Sequence, residues 1–398
     1  MRPISSLLDT DLYKFTMGQA VLHHFPGTKV EYTFRCRDEN VDLTKYETQI
    51  KTQIREFCSL TLSNEELFYL ASLPYIKSDY VDFMELYHPN LNHIEIESTN
   101  KKLDIRVRGS WFLTIYFEVP ILAMISEIFS QNECPNPDFQ GARERLRMKK
   151  ELMNANSEYF KFADFGTRRR FSHHWQDEVL GYLSDLYPKN LVGTSNVFFA
   201  KKYGMRPIGT MAHEWLQCGQ AVGVRLVDSQ RHMLQKWVEE YRGNLGIALS
   251  DVIGIDAFLD DFDAYFAKLY DGIRQDSGDP FEVGEKIVSH YKNLGINPLT
   301  KTLIFSDALS FDKGLNLIKH FKDKINVLLG IGTNLTNDIP SFTPLNIVLK
   351  VTRCNNEPVA KISDSEGKSM CNDISYLRYL QFVFDQRHEM LKRQGGKR

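Results

Sequence analysis

The sequence predicts an α/β protein whose larger part is a closed or nearly closed (β/α) barrel. From about residue 160 onward, apolar runs alternate with helical segments. One run after another ends by delivering a polar or small residue to the following turn. Length agrees: 398 residues, at roughly 100–200 per domain, allow two or three domains with an ample core.

The first 135 residues mix helix and strand without regular alternation and form an expected N-terminal α/β domain. Ser63-Asn64-Glu65-Glu66 is a capping box, with Ser63 as N-cap and Glu66 three residues on. Ile94 to Glu97 and Leu103 to Val107 alternate apolar and polar residues, as half-exposed antiparallel strands do. The most apolar run, Trp111 to Ile125, is broken by Glu118 and Pro120 and falls short of a membrane span. It is expected to be a buried strand followed by a helix. Two prolines and a cluster of turn residues between Asn132 and Asp138 mark a boundary, and a charged amphipathic helix runs from Phe139 to about Asn156. The chain is thus expected to divide into 1–135, a barrel over 136–350, and 351–398, whose strands and helix pack back on the body.

Strands are expected at Asn190–Thr194, Arg206–Thr210, Leu245–Asp251, Tyr270–Asp276, Thr302–Asp307, Val327–Gly332 and Ile347–Val351. Strands each followed by a helix imply a parallel sheet, and seven in succession suggest a barrel. Asp279-Pro280-Phe281-Glu282 is a strong helix start, and Gly295 closes that helix. A helical tail is expected from Gln381 onward.

Composition removes several classes. With 42% hydrophobic and 25% charged residues and a formal net charge of -2, the chain has no broad electrostatic affinity for nucleic acid or an anionic membrane. The segment Met1 to Asp9 has no apolar core of signal-peptide length. The six cysteines are scattered and form no CxxC pair, which points to a reduced, cytoplasmic setting.

Reacting groups in a (β/α) barrel sit at the C-terminal strand ends. Those ends offer Gly193, Thr194 and Ser195, then Thr210 and His213, then Asp251. Arg274, Asp276 and Ser277 follow, then Ser306 and Asp307, then Gly330, Gly332 and Thr333. Cations, carboxylates, hydroxyls and Gly-rich turns together suit a phosphorylated sugar. Asp251, Asp276 and Asp307 could each accept hydrogen bonds from a ribose diol. Gly330-Ile331-Gly332-Thr333-Asn334 reads as a phosphate cradle, although Leu335 stands where a dinucleotide fingerprint needs glycine. His213-Glu214 is not an HExxH zinc site, because Gln217 takes the second histidine position. No metal ligand set is expected. Arg168-Arg169-Arg170, after a Gly turn between aromatic residues, could grip pyrophosphate or a carboxylate.

These residues resemble the nicotinate phosphoribosyltransferases, type II phosphoribosyltransferases of NAD biosynthesis. The resemblance spans nearly the whole chain through six segments in order. They are Leu8 to Met17, Phe165 to Arg170, Gly209 to Trp215, Arg274 to Pro280, Ser306 to Leu309 and Gly330 to Asn334. The resemblance implies an irregular barrel beside a smaller N-terminal α/β domain. It implies a ligase-classified, ATP-dependent synthesis of nicotinate mononucleotide from nicotinate and phosphoribosyl pyrophosphate, with Mg²⁺ bound mainly through pyrophosphate. His213 would be the transient phosphohistidine. Tyr13 and Phe165 would sandwich the pyridine, with Tyr13 supplied by the neighbouring subunit of a homodimer. Arg168, Thr210 and Arg274 would address nicotinate; Arg168 could also meet the sugar phosphates. Asp251, Asp276, Ser277, Asp307, Gly332 and Thr333 would hold phosphoribosyl pyrophosphate.

A nicotinamide- or quinolinate-specific enzyme is the nearest rival. A Schiff-base aldolase is disfavoured because no strand end carries Lys, and a metal lyase because clustered ligands are missing.

Overall fold

The computed structural model describes residues 2–154, 158–186, 189–362, 371 and 373–395. Its strands in chain order are β1 (Lys29–Cys36), β2 (Ile94–Thr99), β3 (Lys102–Ser110), β4 (Phe162–Asp164), β5 (Leu191–Thr194) and β6 (Ile247–Leu249). They continue with β7 (Gly272–Gln275), β8 (Thr302–Phe305), β9 (Asn326–Ile331), β10 (Ile347–Cys354) and β11 (Glu357–Pro358). Two sheets result. An antiparallel sheet runs β11-β10-β1-β3-β2, and a parallel sheet runs β5-β4-β9-β8-β7-β6.

The parallel sheet bends into an irregular barrel whose open side, between β5 and β6, is spanned by residues 206–210. Ile208 N donates to Thr194 O at 2.8 Å, and Thr210 Oγ1 donates to Ile247 O at 2.7 Å. The segment was expected to be a full strand, yet it forms only an isolated bridge, Thr194 to Pro207. Pro207 has no N–H to give to a ladder. The approach is close enough that a Cβ on Gly193 would lie 2.1 Å from Arg206 O, so the side chain of any other residue would hold the segment off.

Three further expectations need correction. Ile347–Val351 is not a barrel strand, because β10 pairs antiparallel with β1 from Val30↔Cys354 to Cys36↔Ile347. Its alternation of buried Ile347, Leu349 and Val351 with half-exposed Val348 and Lys350 is the signature of a strand with one wet face. A barrel limit at residue 350 would fall inside this strand. The barrel's missing member is β4, three fully buried residues, too short to show a period. β1, also unforeseen, buries Val30, Tyr32 and Phe34 on one face. Finally, Trp111 to Ile125 contains no strand; a turn of helix and a 3₁₀ turn lead into the helix Glu118–Glu133. Pro120 is tolerated there because it lies in the first turn. Taken on to Glu133, the stretch from Trp111 is 23 residues, long and apolar enough to cross a membrane where the sequence suggested it fell short, but 83% of its most apolar window is buried within the protein, as a core helix is.

Local signals held. Ser63 and Glu66 cap each other's backbone N–H, and Asp279 accepts from Phe281 N and Glu282 N at 2.9 and 3.0 Å. The helix Phe139–Asn154 follows the expected boundary; its anticipated end at Asn156 lies outside the described residues. The tail is helical from Ile374 to Gly395, starting seven residues before the expected Gln381.

Candidate functional site

Two adjoining cavities open at the C-terminal mouth of the barrel. The first encloses about 880 Å³ including its mouth, within the size range of small-molecule sites. Tyr13, Phe165, Arg168, His213, Arg274, Asp276, Gly332 and Thr333 all line it, so most of the predicted site residues converge. The second is lined by Asp307 together with Arg37, Glu118, Gln217 and Lys361. The two share Arg168, Arg169, His213, Asp276, Ser306, Ala308 and Lys350.

His213 opens the short helix His213–Cys218 and is 7% exposed. Its Nε2 lies 3.0 Å from Asp251 Oδ1, 3.6 Å from Asp276 Oδ2 and 2.8 Å from Lys361 Nζ. Burial, reinforced by the Lys361 ammonium, pulls its pKa down to about 4 against the opposing pull of Asp251 and Asp276. The ring is therefore neutral near neutral pH. Burial alone would raise the Asp251 carboxyl, but the adjoining His213 and Lys361 hold it well below the carboxylate range. Ser277 Oγ donates to Asp251 Oδ2 at 2.6 Å.

The aromatic walls come from segments far apart in the sequence. Tyr13 stands in the first turn of the helix Leu12–His24, docked by Leu12 N on Ser195 O at 2.7 Å. Phe165 follows β4 directly, and its ring lies over Gly330, where an added Cβ would come within 2.5 Å of it. Tyr13 thus lines its own chain's cavity, on a helix pinned to the end of β5.

The arginine run divides. Arg170 is fully buried and grips Asp9 with two bonds of 2.8 Å, a structural role. Arg168 and Arg169 face the cavities. Among the described residues Arg168 keeps only loose ion pairs, 3.9 Å to Asp11 and 3.8 Å to Glu118, leaving its guanidinium available to an anion. Arg274 Nε is buried with no hydrogen-bond partner among the described residues. Asp276 accepts from Ser306 Oγ at 2.6 Å. After β9, Gly332 and Thr333 enter a single helical turn, whose leading N–H groups have no carbonyl of their own turn to bond. Ala308, on the rim of both cavities, holds a left-handed φ of 47°, the kind of local strain that concentrates at functional sites.

Three predicted residues do not reach a cavity wall. Thr210 spans the barrel seam and accepts from Thr16 Oγ1 through its carbonyl, while Asp251 and Ser277 lie behind His213. Sequence reading missed Lys350, Lys361, Arg37 and Glu118. They come from the antiparallel sheet and its neighbours, where a search of barrel strand ends does not look. A lysine set among Ile347, Val348, Leu349 and Val351 was the available signal for Lys350. Gln217, four residues after His213 and so on the same helical face, has a buried Nε2 with no partner among the described residues.

His213, Asp251 and Asp276 bring ligand-type atoms within 4.8 Å of one another. Lys361 Nζ, bonded to both His213 and Asp251, already supplies the positive charge this cluster calls for. A metal ion there would meet an ammonium, so the cluster does not fit a protein-held metal.

An arginine-lined barrel mouth with aromatic walls, a neutral buried histidine and a Gly-Thr turn describes a class: a site shaped for a phosphorylated sugar beside a flat ring. Comparison with known proteins narrows the class. Residues 8–126 match the nicotinate phosphoribosyltransferase N-terminal domain, and residues 160–388 match the nicotinate phosphoribosyltransferase (NAPRTase) family. The nicotinate phosphoribosyltransferase of Burkholderia ambifaria is 53% identical over 386 residues, 96% of each chain. That of Xanthomonas euvesicatoria is 51% identical over 384 residues, 96% of this chain and 97% of the relative. The crystal structure of nicotinate phosphoribosyltransferase from Vibrio cholerae superposes with a TM-score of 0.93 at 36% identity, covering 100% of this chain and 98% of that one. This chain belongs to the nicotinate phosphoribosyltransferase family.

Proposed function

We propose that the chain is an ATP-dependent, ligase-type nicotinate phosphoribosyltransferase. It joins the ring nitrogen of nicotinate to C1 of phosphoribosyl pyrophosphate and couples that step to ATP hydrolysis through a phosphate carried on His213. One observation carries the reading: a single cavity is walled by Tyr13 and Phe165, by Arg168 and Arg274, and by Gly332 and Thr333, with His213 among them.

Breaking the C1–oxygen bond sends its electron pair to pyrophosphate and leaves an oxocarbenium-like carbon. The pyridine lone pair then forms the new C–N bond. The nucleophile carries no proton at that nitrogen, so no strong base is needed, and the site contains no triad. The work left to the protein is orientation and charge stabilisation. Tyr13 and Phe165 hold the ring by stacking, and Arg274 pairs with its carboxylate. Arg168, Arg169, Lys350 and Lys361 neutralise the departing pyrophosphate. Asp276, steadied by Ser306, and Asp307 accept from the ribose hydroxyls, while Gly332 and Thr333 take the 5′-phosphate. Asp251, Ser277 and Thr210 act one step back, holding His213 and the barrel seam. A neutral imidazole is nucleophilic at physiological pH, which fits His213 for phosphoryl transfer. Mg²⁺ would add charge neutralisation at the pyrophosphate; with Lys361 filling the histidine–carboxylate cluster, it would be held chiefly by the substrate's own oxygens. The reading also includes a homodimer and a reducing, cytoplasmic setting, which the six free thiols suit.

Turnover of nicotinate, nicotinamide and quinolinate with phosphoribosyl pyrophosphate tests the substrate. Nicotinate should dominate, and preference for either of the others overturns the reading. His213→Ala should keep a residual transferase activity that ATP no longer stimulates; undiminished stimulation would remove the phosphohistidine.

A further inference from the structure

His213 Nε2 has more partners than one ring nitrogen can serve. Asp251 Oδ1 at 3.0 Å would accept a proton from it, whereas the Lys361 ammonium at 2.8 Å would donate one to it. Lys361 also donates to Asp251 Oδ2, which takes a further hydrogen bond from Ser277. A protonated Nε2 would set two donors face to face at 2.8 Å. With Nε2 bare, the ammonium bridges the ring and the carboxylate and meets an acceptor on each.

We infer that Lys361 is a positioning residue for His213. Its ammonium engages the Nε2 lone pair, keeps the ring in the Nδ1–H tautomer, and passes to the phosphoryl oxygens when Nε2 bonds phosphorus. This deepens the reading of His213 as phosphoryl acceptor and rests on it. In the step itself the Nε2 lone pair forms the bond to the γ-phosphorus of ATP. The bond from that phosphorus to the β,γ-bridging oxygen breaks, and its electron pair leaves with ADP. No proton has to leave Nε2 first, and the lysine charge released from the lone pair meets the incoming phosphoryl anion.

Three charged groups face the ring. Asp251 reaches it from the turn after β6, Asp276 from the turn after β7, and Lys361 from the segment beyond β11. Arg274 of β7 acts on it through Asp276. Glu214, next in the chain, is turned away to Lys14 at 2.8 Å. Without Lys361, only the carboxylates among the described residues face Nε2 directly, so a proton settles there and blocks the lone pair.

The test follows the His213 ring nitrogens by NMR in the full-length protein without nucleotide. Wild type should show Nδ1–H and titrate well on the acid side of an ordinary histidine. Lys361→Met should show Nε2–H and titrate about one pH unit or more higher, which lowers the labelling rate by γ-phosphate-labelled ATP about tenfold at the acid end. Lys361→Arg keeps the charge and should titrate near wild type, which guards against a Met variant that folds poorly. An unchanged tautomer and titration in Lys361→Met, or a Lys361→Arg titration displaced as far as expected for the Met variant, overturns the inference. Absence of label on wild-type His213 defeats the phosphoryl reading instead, while the ring titration still decides what Lys361 does.

Discussion

Burial decides what His213 can do. An exposed imidazole would be partly protonated in the cell; at 7% exposure beside an ammonium, this one is not. The sequence singled out His213 from its position at a turn, but its state depends on Lys361, which is 148 residues away in the chain. Arg274 shows the same limit. Its place at a strand end was legible, whereas the unpartnered buried Nε that makes it a candidate carboxylate anchor was not. Arg274→Ala is expected to lower kcat/KM for nicotinate roughly 10- to 150-fold, the loss of a charged hydrogen bond of about 1.5–3 kcal/mol. Nicotinamide, which lacks the acid, should show a much smaller change, and parallel losses would place Arg274 elsewhere in the reaction.

At the scale of elements, a buried lysine joins three helices. Lys14, fully buried in the helix Leu12–His24, meets Glu118 of Glu118–Glu133 at 2.7 Å and Glu214 of His213–Cys218 at 2.8 Å. The first helix carries Tyr13 and the third carries His213, so this ion triad fixes an aromatic wall against the histidine. Lys14→Met keeps the stem but strands two buried carboxylates. The expected loss is about 3–5 kcal/mol in urea unfolding; a change well below that range would mean that the carboxylates find other partners. Helix caps were readable because their chemistry is local, as Ser63 with Glu66 and Asp279 with its two N–H groups show. Strand membership was not: β10 reads as one more apolar run until its partner, β1, is known.

Across the whole molecule, Glu240 ties the end of the first helix to the helix Ser229–Tyr241. It accepts from His23 Nδ1 at 2.9 Å, His24 Nε2 at 3.2 Å, Lys77 at 2.9 Å and Gln19 at 2.8 Å. The bond to Glu240 raises the His23 pKa above its ordinary 6.5. Burial pushes the Glu240 carboxyl up, but hydrogen bonds from His23, His24 and Lys77 bring it well below its usual range, so it stays charged into acid. Stability from a raised histidine is fully present below 6.5 and is lost as pH climbs through the folded-state value. His23→Gln should therefore destabilise the protein more at about pH 6 than at about pH 8.5, read from urea midpoints; equal effects would mean that His23 contributes without its charge. The sequence by itself determined the alternation of strand and helix, the caps, and the motifs at the barrel mouth, because periodicity, capping and turn chemistry act over a few residues. Only the tertiary structure decided that β4 completes the barrel and that β10 leaves it for the other sheet. The same holds for Lys350 and Lys361, brought to His213 from outside the barrel, and for the placing of Asp251 and Ser277 behind that histidine. Those outcomes depend on which distant segments bury each other's apolar faces and neutralise each other's charges, and no local pattern encodes that.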